Sequence, residues 1–139
     1  MEPNIWGPPA WKFLHSITFQ YPENPTDLDK QKYFTFFNSL KNVLPCPTCR
    51  EHYGGNFESI PIRLDSREDL IEWLIDIHNE VNLKDGKKAY SYSEVYQIYT
   101  DMYDIKKDVG VTNDHLLIIL CIVVAIAAYY YYKEVYLKK

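Results

Sequence analysis

An all-α fold is the class that this 139-residue sequence predicts. In several segments apolar residues recur at steps of three and four, which places them on one face of an α-helix. Two segments begin with the pattern of a capping box, Ser66-x-x-Asp69 and Ser91-x-x-Glu94, in which paired side chains satisfy the first backbone N–H groups of a helix. The third observation is an uncharged stretch over residues 116–132, which predicts one further helix.

The first predicted helix follows the segment Trp6-Gly7-Pro8-Pro9 and ends at Tyr21-Pro22, because a proline disfavours helical geometry in the residue before it. Trp11 and His15 are four residues apart and therefore share a face of this helix. A tryptophan and a histidine on one buried face can be core residues or part of a binding site. The second predicted helix covers Asp27 to Leu44, and its apolar positions are Tyr33, Phe36, Phe37, Leu40, Val43 and Leu44.

The segment Pro45-Cys46-Pro47-Thr48-Cys49 holds two of the three cysteines. Pro45 favours an extended backbone, and Pro47 suits the first turn of a helix, where a missing N–H costs nothing. We therefore expect a loop that turns into a short helix ending at Gly54-Gly55, with both cysteines at its positive end. Unpaired N–H groups at such an end stabilise a thiolate, which favours redox chemistry.

Two other interpretations fit the same motif. Cys46, Cys49, His52 and His78 could supply the four ligands of a zinc site in an interaction module. Alternatively, the two cysteines are structural and the protein is a noncatalytic adaptor. Three cysteines do not make a disulfide framework, so stability must come from packing, a cofactor or a partner.

The helix that begins at Ser66 is so apolar on all sides that we expect it at the centre of the protein, with Gly86 as its C-terminal cap. Its apolar residues are Leu70, Ile71, Trp73, Leu74, Ile75, Ile77 and Val81. His78, Asn79 and Asn82 lie in the same helix, where a buried polar group without a partner costs about 1–3 kcal/mol. Either the backbone or a bound polar ligand must therefore provide their hydrogen-bond partners.

The helix after Ser91 is short and ends the predicted globular domain, residues 1–103. It is followed by a charged linker over residues 104–115, a predicted transmembrane helix over residues 116–132 and a short basic tail over residues 133–139. At about 1.5 Å per residue the apolar stretch spans roughly 25 Å, near the short end for crossing a membrane. This predicts a single-pass C-terminal anchor in a host or virion membrane, with the domain on the cytosolic side.

The charge balance argues against a nucleic-acid partner. The net charge is −4, and before His115 there are 12 Lys and Arg against 18 Asp and Glu, a net charge of −6. An acidic domain without a basic stripe binds nucleic acid poorly. The first residues also lack the basic and apolar regions of a secretory signal, so we expect a domain that is not exported.

Three motifs, in this order and spacing, resemble the Erv/ALR family of FAD-linked sulfhydryl oxidases. The small size and the low number of cysteines are similar to the enzymes of this family in large cytoplasmic DNA viruses. They are Trp6-Gly7-x-x-x-Trp11-x-x-Leu14-His15, Pro45-Cys46-x-x-Cys49, and Trp73-x-x-x-x-His78-Asn79-x-Val81-Asn82-x-Lys84-x-Gly86-Lys87. The resemblance covers residues 6–99. It implies a bundle of four main helices plus a short fifth helix, which holds FAD and commonly forms a homodimer.

The resemblance also implies a role for individual residues. Cys49 would lie against the flavin ring, and Cys46 would exchange with protein dithiol substrates, so that electrons pass through FAD to O2 and give H2O2. The residues assigned to FAD are Trp6, Gly7, Trp11, His15, Trp73, His78, Asn79, Asn82, Lys84, Lys87 and Tyr99. The expected function is a thiol oxidase that forms disulfide bonds in protein substrates, with viral proteins as the expected substrates. No metal site is expected.

The chain departs from the family pattern at several positions. Pro8 replaces an arginine, Tyr99 replaces a tryptophan, and the disulfide that tethers the family's last helix is missing. No second C-x-x-C is present to act as a shuttle. Substrates must therefore reach Cys46 directly or through a separate thioredoxin-like carrier.

Overall fold

The computed structural model describes residues 1–103 and 113–136, and every regular element in them is helical. The chain divides into two compact units, Met1–Ile105 and Lys106–Lys139. The helices are α1 (Pro3–Phe19), α2 (Asp27–Val43), α3 (Pro47–Ser59), α4 (Arg67–Lys84), α5 (Tyr92–Tyr103) and, in the second unit, α6 (Asn113–Tyr136). The all-α class is confirmed, whereas most of the predicted linker over residues 104–115 lies outside the described residues.

Side-chain caps define where the helices begin. The backbone N–H of Ser91 donates to Oε2 of Glu94 at 2.7 Å, and the N–H of Glu94 donates to Oγ of Ser91 at 3.2 Å, so this capping box is confirmed. At the start of α4, Oγ of Ser66 accepts from the N–H of Asp69 at 3.1 Å. Each such cap stabilises a helix by about 1 kcal/mol.

Helix α4 is central, as its composition predicts, because it contacts α1, α3 and α5. One core cluster surrounds its first face and includes the fully buried Trp73, which packs edge-on against Phe37. A second cluster joins the opposite face of α4 to Phe19 and to α5. The helix ends as expected at Gly86, whose φ of +69° is a conformation that side chains other than glycine rarely adopt.

Two helix boundaries differ from the sequence-based expectation. Helix α1 begins at Pro3, so Pro8 and Pro9 lie inside it rather than before it. The residues whose carbonyls these prolines leave unpaired, Asn4 and Ile5, are exposed, so water can satisfy them.

Helix α3 continues through Gly54 and Gly55 to Ser59. Burial of the next turn, which includes Asn56 and Phe57, extends the helix beyond the point where glycine propensity alone would end it. A Cβ atom on Gly54 would lie 3.7 Å from Cβ of Lys41, so the glycine marks a close approach of α3 to α2.

Helix α6 differs from the transmembrane helix that the sequence predicts. Among residues 1–103 and 113–136, no helix is both long and apolar enough to cross a membrane. The uninterrupted apolar residues run only from Leu116 to Ala128, about 20 Å of helix, and Tyr129 to Tyr132 add four hydroxyl groups. The prediction of a transmembrane helix over residues 116–132 is therefore wrong.

Candidate active site

A cavity of about 980 Å³ opens within the N-terminal unit, between α1, the start of α3, the end of α4 and α5. This volume is at the upper end of the usual range for small-molecule sites. The cavity brings together both cysteines of the C-x-x-C motif and nine of the eleven residues predicted to bind the cofactor. These nine are Trp6, Gly7, Trp11, His15, His78, Asn82, Lys84, Lys87 and Tyr99.

The other two predicted residues, Trp73 and Asn79, do not line this cavity. Trp73 is fully buried in the core, where its Nε1–H donates to the carbonyl of Ile60 at 2.9 Å. The amide of Asn79 makes two hydrogen bonds to the backbone of Tyr90, at 2.9 and 2.8 Å. Trp73 therefore builds the core behind the site, and Asn79 holds the loop that carries Lys87 and Tyr90 to its rim.

The cysteines lie at the start of α3, with Cys46 as the N-cap residue and Pro47 in the first turn, as predicted. The Sγ atom of Cys46 accepts a hydrogen bond from the backbone N–H of Cys49 at 3.3 Å. Nη1 of Arg50 donates to the carbonyl of Leu44 at 2.5 Å and so fixes the loop before the motif. Both cysteines are free thiols, and both are partly exposed.

The two thiols differ in acidity. Hydrogen bonds from the thiol and the backbone N–H of Cys49 lower the pKa of Cys46 below its usual value. Burial, followed by the interaction with Cys46, raises the pKa of Cys49 to about 11. In the reduced pair Cys46 therefore loses its proton more readily than Cys49.

The opposite side of the cavity contains two histidines in contact. Nε2 of His15 and Nδ1 of His78 are 3.2 Å apart. The indole of Trp11 stacks on the ring of His78, with centroids 4.0 Å apart and planes 11° apart. Burial lowers the pKa of His15 to about 3 and that of His78 to about 4, so both rings are neutral at pH 7.

Helix α5 closes another side of the cavity without a disulfide. Tyr99 packs 5.1 Å from His15 and stacks on Phe19 at the same centroid distance. At the C-terminal end of the helix, the hydroxyl groups of Tyr103 and Ser16 are 2.6 Å apart and share a hydrogen bond. Aromatic packing and this bond attach α5 to α1.

Sequence reasoning missed several lining residues, among them Tyr90, Ile98 and Met102. The signal for the last two was their place on the apolar side of α5, which was interpreted only as a packing face. It also missed Asn56, which is buried on α3 and whose Oδ1 accepts from Nζ of Lys84 at 2.9 Å. No local pattern distinguishes such a residue from an ordinary core position.

The residues present fit a dinucleotide with aromatic rings and phosphates. Three buried polar atoms in the cavity wall, Nε1 of Trp6, Nδ1 of His15 and Nδ2 of Asn82, lack a hydrogen-bond partner among the described residues. A Cβ atom on Gly7 would meet nothing within 4 Å, so space lies open beside this backbone. Lys84 and Lys87 supply cations for phosphate oxygens, and Trp11 and Tyr99 supply aromatic faces.

The zinc alternative fails on geometry. Within the described parts of the chain, no group of three or more His, Cys, Asp or Glu side chains could hold a metal ion. Cys46, Cys49, His52 and His78 are all described, and they do not form such a group. The alternative interpretation, a zinc site at these four positions, is therefore not supported by the structure.

Comparisons with known proteins agree with this site. The sequence profile of the Erv1 / Alr family matches residues 8–100. A probable FAD-linked sulfhydryl oxidase of Acanthamoeba polyphaga mimivirus is 46% identical over 100 residues, which is 70% of each chain. An FAD-linked sulfhydryl oxidase of African swine fever virus is 32% identical over 94 residues, 68% of this chain and 79% of its own.

The fold has solved counterparts as well. The crystal structure of the FAD binding domain of Erv1 from Saccharomyces cerevisiae superposes with a TM-score of 0.70 and 29% sequence identity, covering 73% of this chain and 96% of that one. Cellular relatives are longer, since the chain covers 47% of the FAD-linked sulfhydryl oxidase ERV1 of Arabidopsis thaliana. From the profile match, the viral relatives and the shared fold, we conclude that this chain belongs to the Erv1/Alr family.

Proposed function

We propose that the protein is an FAD-linked sulfhydryl oxidase, which converts pairs of thiols in protein substrates to disulfides and delivers the electrons to O2, giving H2O2. One observation carries this proposal: the sulfurs of Cys46 and Cys49 line the same cavity as the unpartnered polar atoms and aromatic rings of α1 and α4. A redox-active pair is thereby placed beside a site for a large aromatic cofactor.

The residues that would hold FAD divide by chemistry. Trp11, His78 and Tyr99 offer ring faces, whereas Lys84 and Lys87 offer cations for the diphosphate. Bound FAD supplies the oxidant for the Cys46–Cys49 dithiol and passes two electrons to O2. The protein orients the sulfurs toward the cavity and sets their protonation states.

Exchange with substrate uses the difference between the two cysteines. In the oxidised enzyme a substrate thiolate attacks Sγ of Cys46, forms a mixed disulfide and releases Cys49 as a thiolate. A second substrate thiolate then attacks the substrate sulfur of the mixed disulfide and releases Cys46. Because its pKa is low, Cys46 is the better leaving group, and the substrate departs as a disulfide.

The partners follow from the surface and from the relatives. A homodimer is proposed from the family, and the exposed Phe13 on α1 and Phe34 on α2 are candidates for contacts between its subunits. The viral relatives support viral proteins as substrates, which the enzyme would oxidise in the cytosol, where thiols are normally kept reduced. A thioredoxin-like carrier is a second route for electrons to Cys46, since the sequence has no second C-x-x-C.

Purified protein tests this proposal directly. The full chain should be yellow, should release FAD on denaturation and should consume O2 in the presence of dithiothreitol. Cys46→Ser and Cys49→Ser should each reduce O2 consumption to the background rate, because neither variant can form the disulfide. Colourless protein that remains inactive after FAD is added would refute the function.

The control for these variants is Cys121→Ser, since Cys121 lies on α6, outside the site. It should retain full activity. Persistent turnover in Cys46→Ser would contradict the exchange mechanism even if the protein contains FAD.

A further inference from the structure

We propose that His15 is a positioning residue, which holds His78 in the tautomer that carries its proton on Nε2 and so makes His78 a hydrogen-bond donor to the ligand in the cavity. The identity of that ligand rests on the function proposed above. The arrangement of the two rings does not, because it follows from their contacts in the protein.

The 3.2 Å contact permits two arrangements of protons. Either Nε2–H of His15 donates to Nδ1 of His78, or Nδ1–H of His78 donates to Nε2 of His15. Both rings are neutral at pH 7, because burial lowers their pKa values, so each ring carries a single proton. One of the two protons lies in the shared hydrogen bond. In the first arrangement the second proton is on Nε2 of His78, and in the second arrangement it is on Nδ1 of His15.

The burial of His15 favours the first arrangement. Its Nδ1 atom is buried and has no partner in the described part of the chain. In the protein alone, the second arrangement would leave this atom with a buried N–H that has no acceptor among the described residues, whereas the first leaves it only a lone pair. Buried N–H groups without an acceptor are rarer in proteins than acceptors without a donor.

Neighbouring rings keep the pair in this geometry. Trp11 covers one face of His78 at 4.0 Å, and Tyr99 lies 5.1 Å from His15, so neither imidazole can rotate without displacing an aromatic side chain. The charge that acts on His78 is the ammonium of Lys87, which can only donate hydrogen bonds. No hydrogen bond joins Nε2 of His78 to another described residue, and His78 is half-buried in the cavity wall, so this nitrogen is available to a bound ligand.

This assignment specifies the chemistry of the bound group. A donor at this position selects a ligand that presents an acceptor, such as a phosphate or ribose oxygen, a ring carbonyl or an unprotonated ring nitrogen. FAD offers all of these. The alternative tautomer would present a bare nitrogen and would select a ligand N–H or O–H instead.

Nitrogen NMR of the full chain tests the inference, with all four histidines labelled with 15N and His52→Gln and His115→Gln used to assign their signals. Long-range 1H–15N correlations distinguish the two tautomers. We expect both His15 and His78 to be protonated on Nε2 at pH 7, with FAD bound and again after its removal. A proton on Nδ1 of His78 would overturn the proposal.

A pair of variants tests whether His15 is the cause. Gln reaches the position of Nε2 with an amide donor, so His15→Gln should keep His78 protonated on Nε2. His15→Leu removes the donor, so His78 should become a mixture of tautomers and the dissociation constant for FAD, measured by flavin fluorescence, should rise about tenfold. A pure Nε2–H signal in His15→Leu would show that His15 does not set the tautomer.

The two proposals can fail separately. If the protein binds no flavin, the function is refuted, but the tautomers can still be measured on the chain alone. If the protein binds flavin and His78 is protonated on Nδ1, only the role of His15 is refuted.

Discussion

Two sides of one cavity control charge in opposite ways. The histidine wall is formed by Trp11, His15 and His78; His15 is buried, the other two are half-buried, and loss of contact with water keeps both imidazoles neutral. The cysteine wall, formed by Cys46 and Cys49, lies at a partly exposed helix N-terminus, where hydrogen bonds lower the pKa of one thiol. The polarity of a site therefore depends less on which titratable residues it contains than on how much water and how many donors surround each one.

The contrast suits a reaction that combines a thiol for exchange with substrate, Cys46, with a site for the aromatic rings of a large cofactor. Neutral rings can contact an aromatic ligand without a desolvation penalty. A thiolate instead needs donors close to it, and the first turn of α3 supplies them through its backbone. Three experiments test this contrast, beginning with the one expected to give the largest effect.

The histidine wall should make the protein sensitive to acid. In the folded protein the pKa values of His15 and His78 are about 3 and about 4, below the ordinary histidine value of 6.5. Between these pH values the unfolded chain therefore binds more protons than the folded chain. The contribution of the two neutral histidines to the free energy of unfolding is complete above pH 6.5 and is lost as the pH falls toward 4. The free energy of unfolding then decreases by up to about 1.4 kcal/mol per pH unit for each histidine. Urea unfolding between pH 7 and pH 4 measures this slope.

His78→Gln should reduce the slope, since it removes one of the two groups. His52→Gln is the matched control, because His52 is exposed. Equal slopes in wild type and His78→Gln would mean that the buried histidine does not resist protonation.

The cysteine wall should show its asymmetry in alkylation by iodoacetamide. In the reduced protein, Cys46 should react at a lower pH than an ordinary thiol, whereas Cys49 should react fully only near pH 11. Cys49→Ala removes the thiol donor and should lower the alkylation rate of Cys46 about tenfold at pH 7. Cys49→Ser keeps a hydroxyl donor and should lower this rate less. Mass spectrometry identifies the modified cysteine.

Equal alkylation rates of Cys46 in Cys49→Ala and Cys49→Ser would show that the side chain at position 49 does not lower the pKa of Cys46. The lowered pKa would then come from the backbone alone. Proteolysis before mass spectrometry places Cys121 on a different peptide from Cys46 and Cys49, so the alkylation of Cys121 serves as an internal reference.

The smallest effect should come from Asn79, whose amide holds the loop beside the histidine wall. Asn79→Ala loses both hydrogen bonds to the backbone of Tyr90, so the free energy of unfolding should fall by about 1–2 kcal/mol. Affinity for FAD should also fall, because the loop carries Lys87 to the cavity. Chemical denaturation and flavin fluorescence measure the two quantities.

The control for Asn79→Ala is Ser59→Ala, which removes a bond within α3, from Oγ of Ser59 to the carbonyl of Gly55. If the free energy of unfolding falls equally in both variants and Asn79→Ala binds FAD as wild type does, the loop that carries Lys87 does not depend on the hydrogen bonds of Asn79.

Local patterns indicated side chains that line the cavity where each residue reaches it from its own helix face. The spacing of Trp11 and His15, and the polar residues in apolar α4, indicated side chains that need a partner, and the cavity contains His15, His78 and Asn82. Trp73 and Asn79 could not be placed in this way. Which side of a buried helix faces the core or a distant loop depends on tertiary contacts.

The wrong boundaries have the same origin. Glycine propensity predicted that α3 ends at Gly54-Gly55, but packing of the following turn extends it. The apolar residues of α6 suggested a membrane span because they were counted together with four tyrosines, whose hydroxyl groups do not belong in hydrocarbon. Both errors came from treating a segment by composition alone.

The attachment of α5 by Tyr99 and by the bond between Ser16 and Tyr103 has a consequence for biogenesis. All three cysteines of the chain are free thiols here, so the described helices are arranged without a disulfide. A newly made copy can fold in a reducing compartment before any disulfide has been formed there. The first source of disulfides in such a compartment would thus need none of its own to take shape.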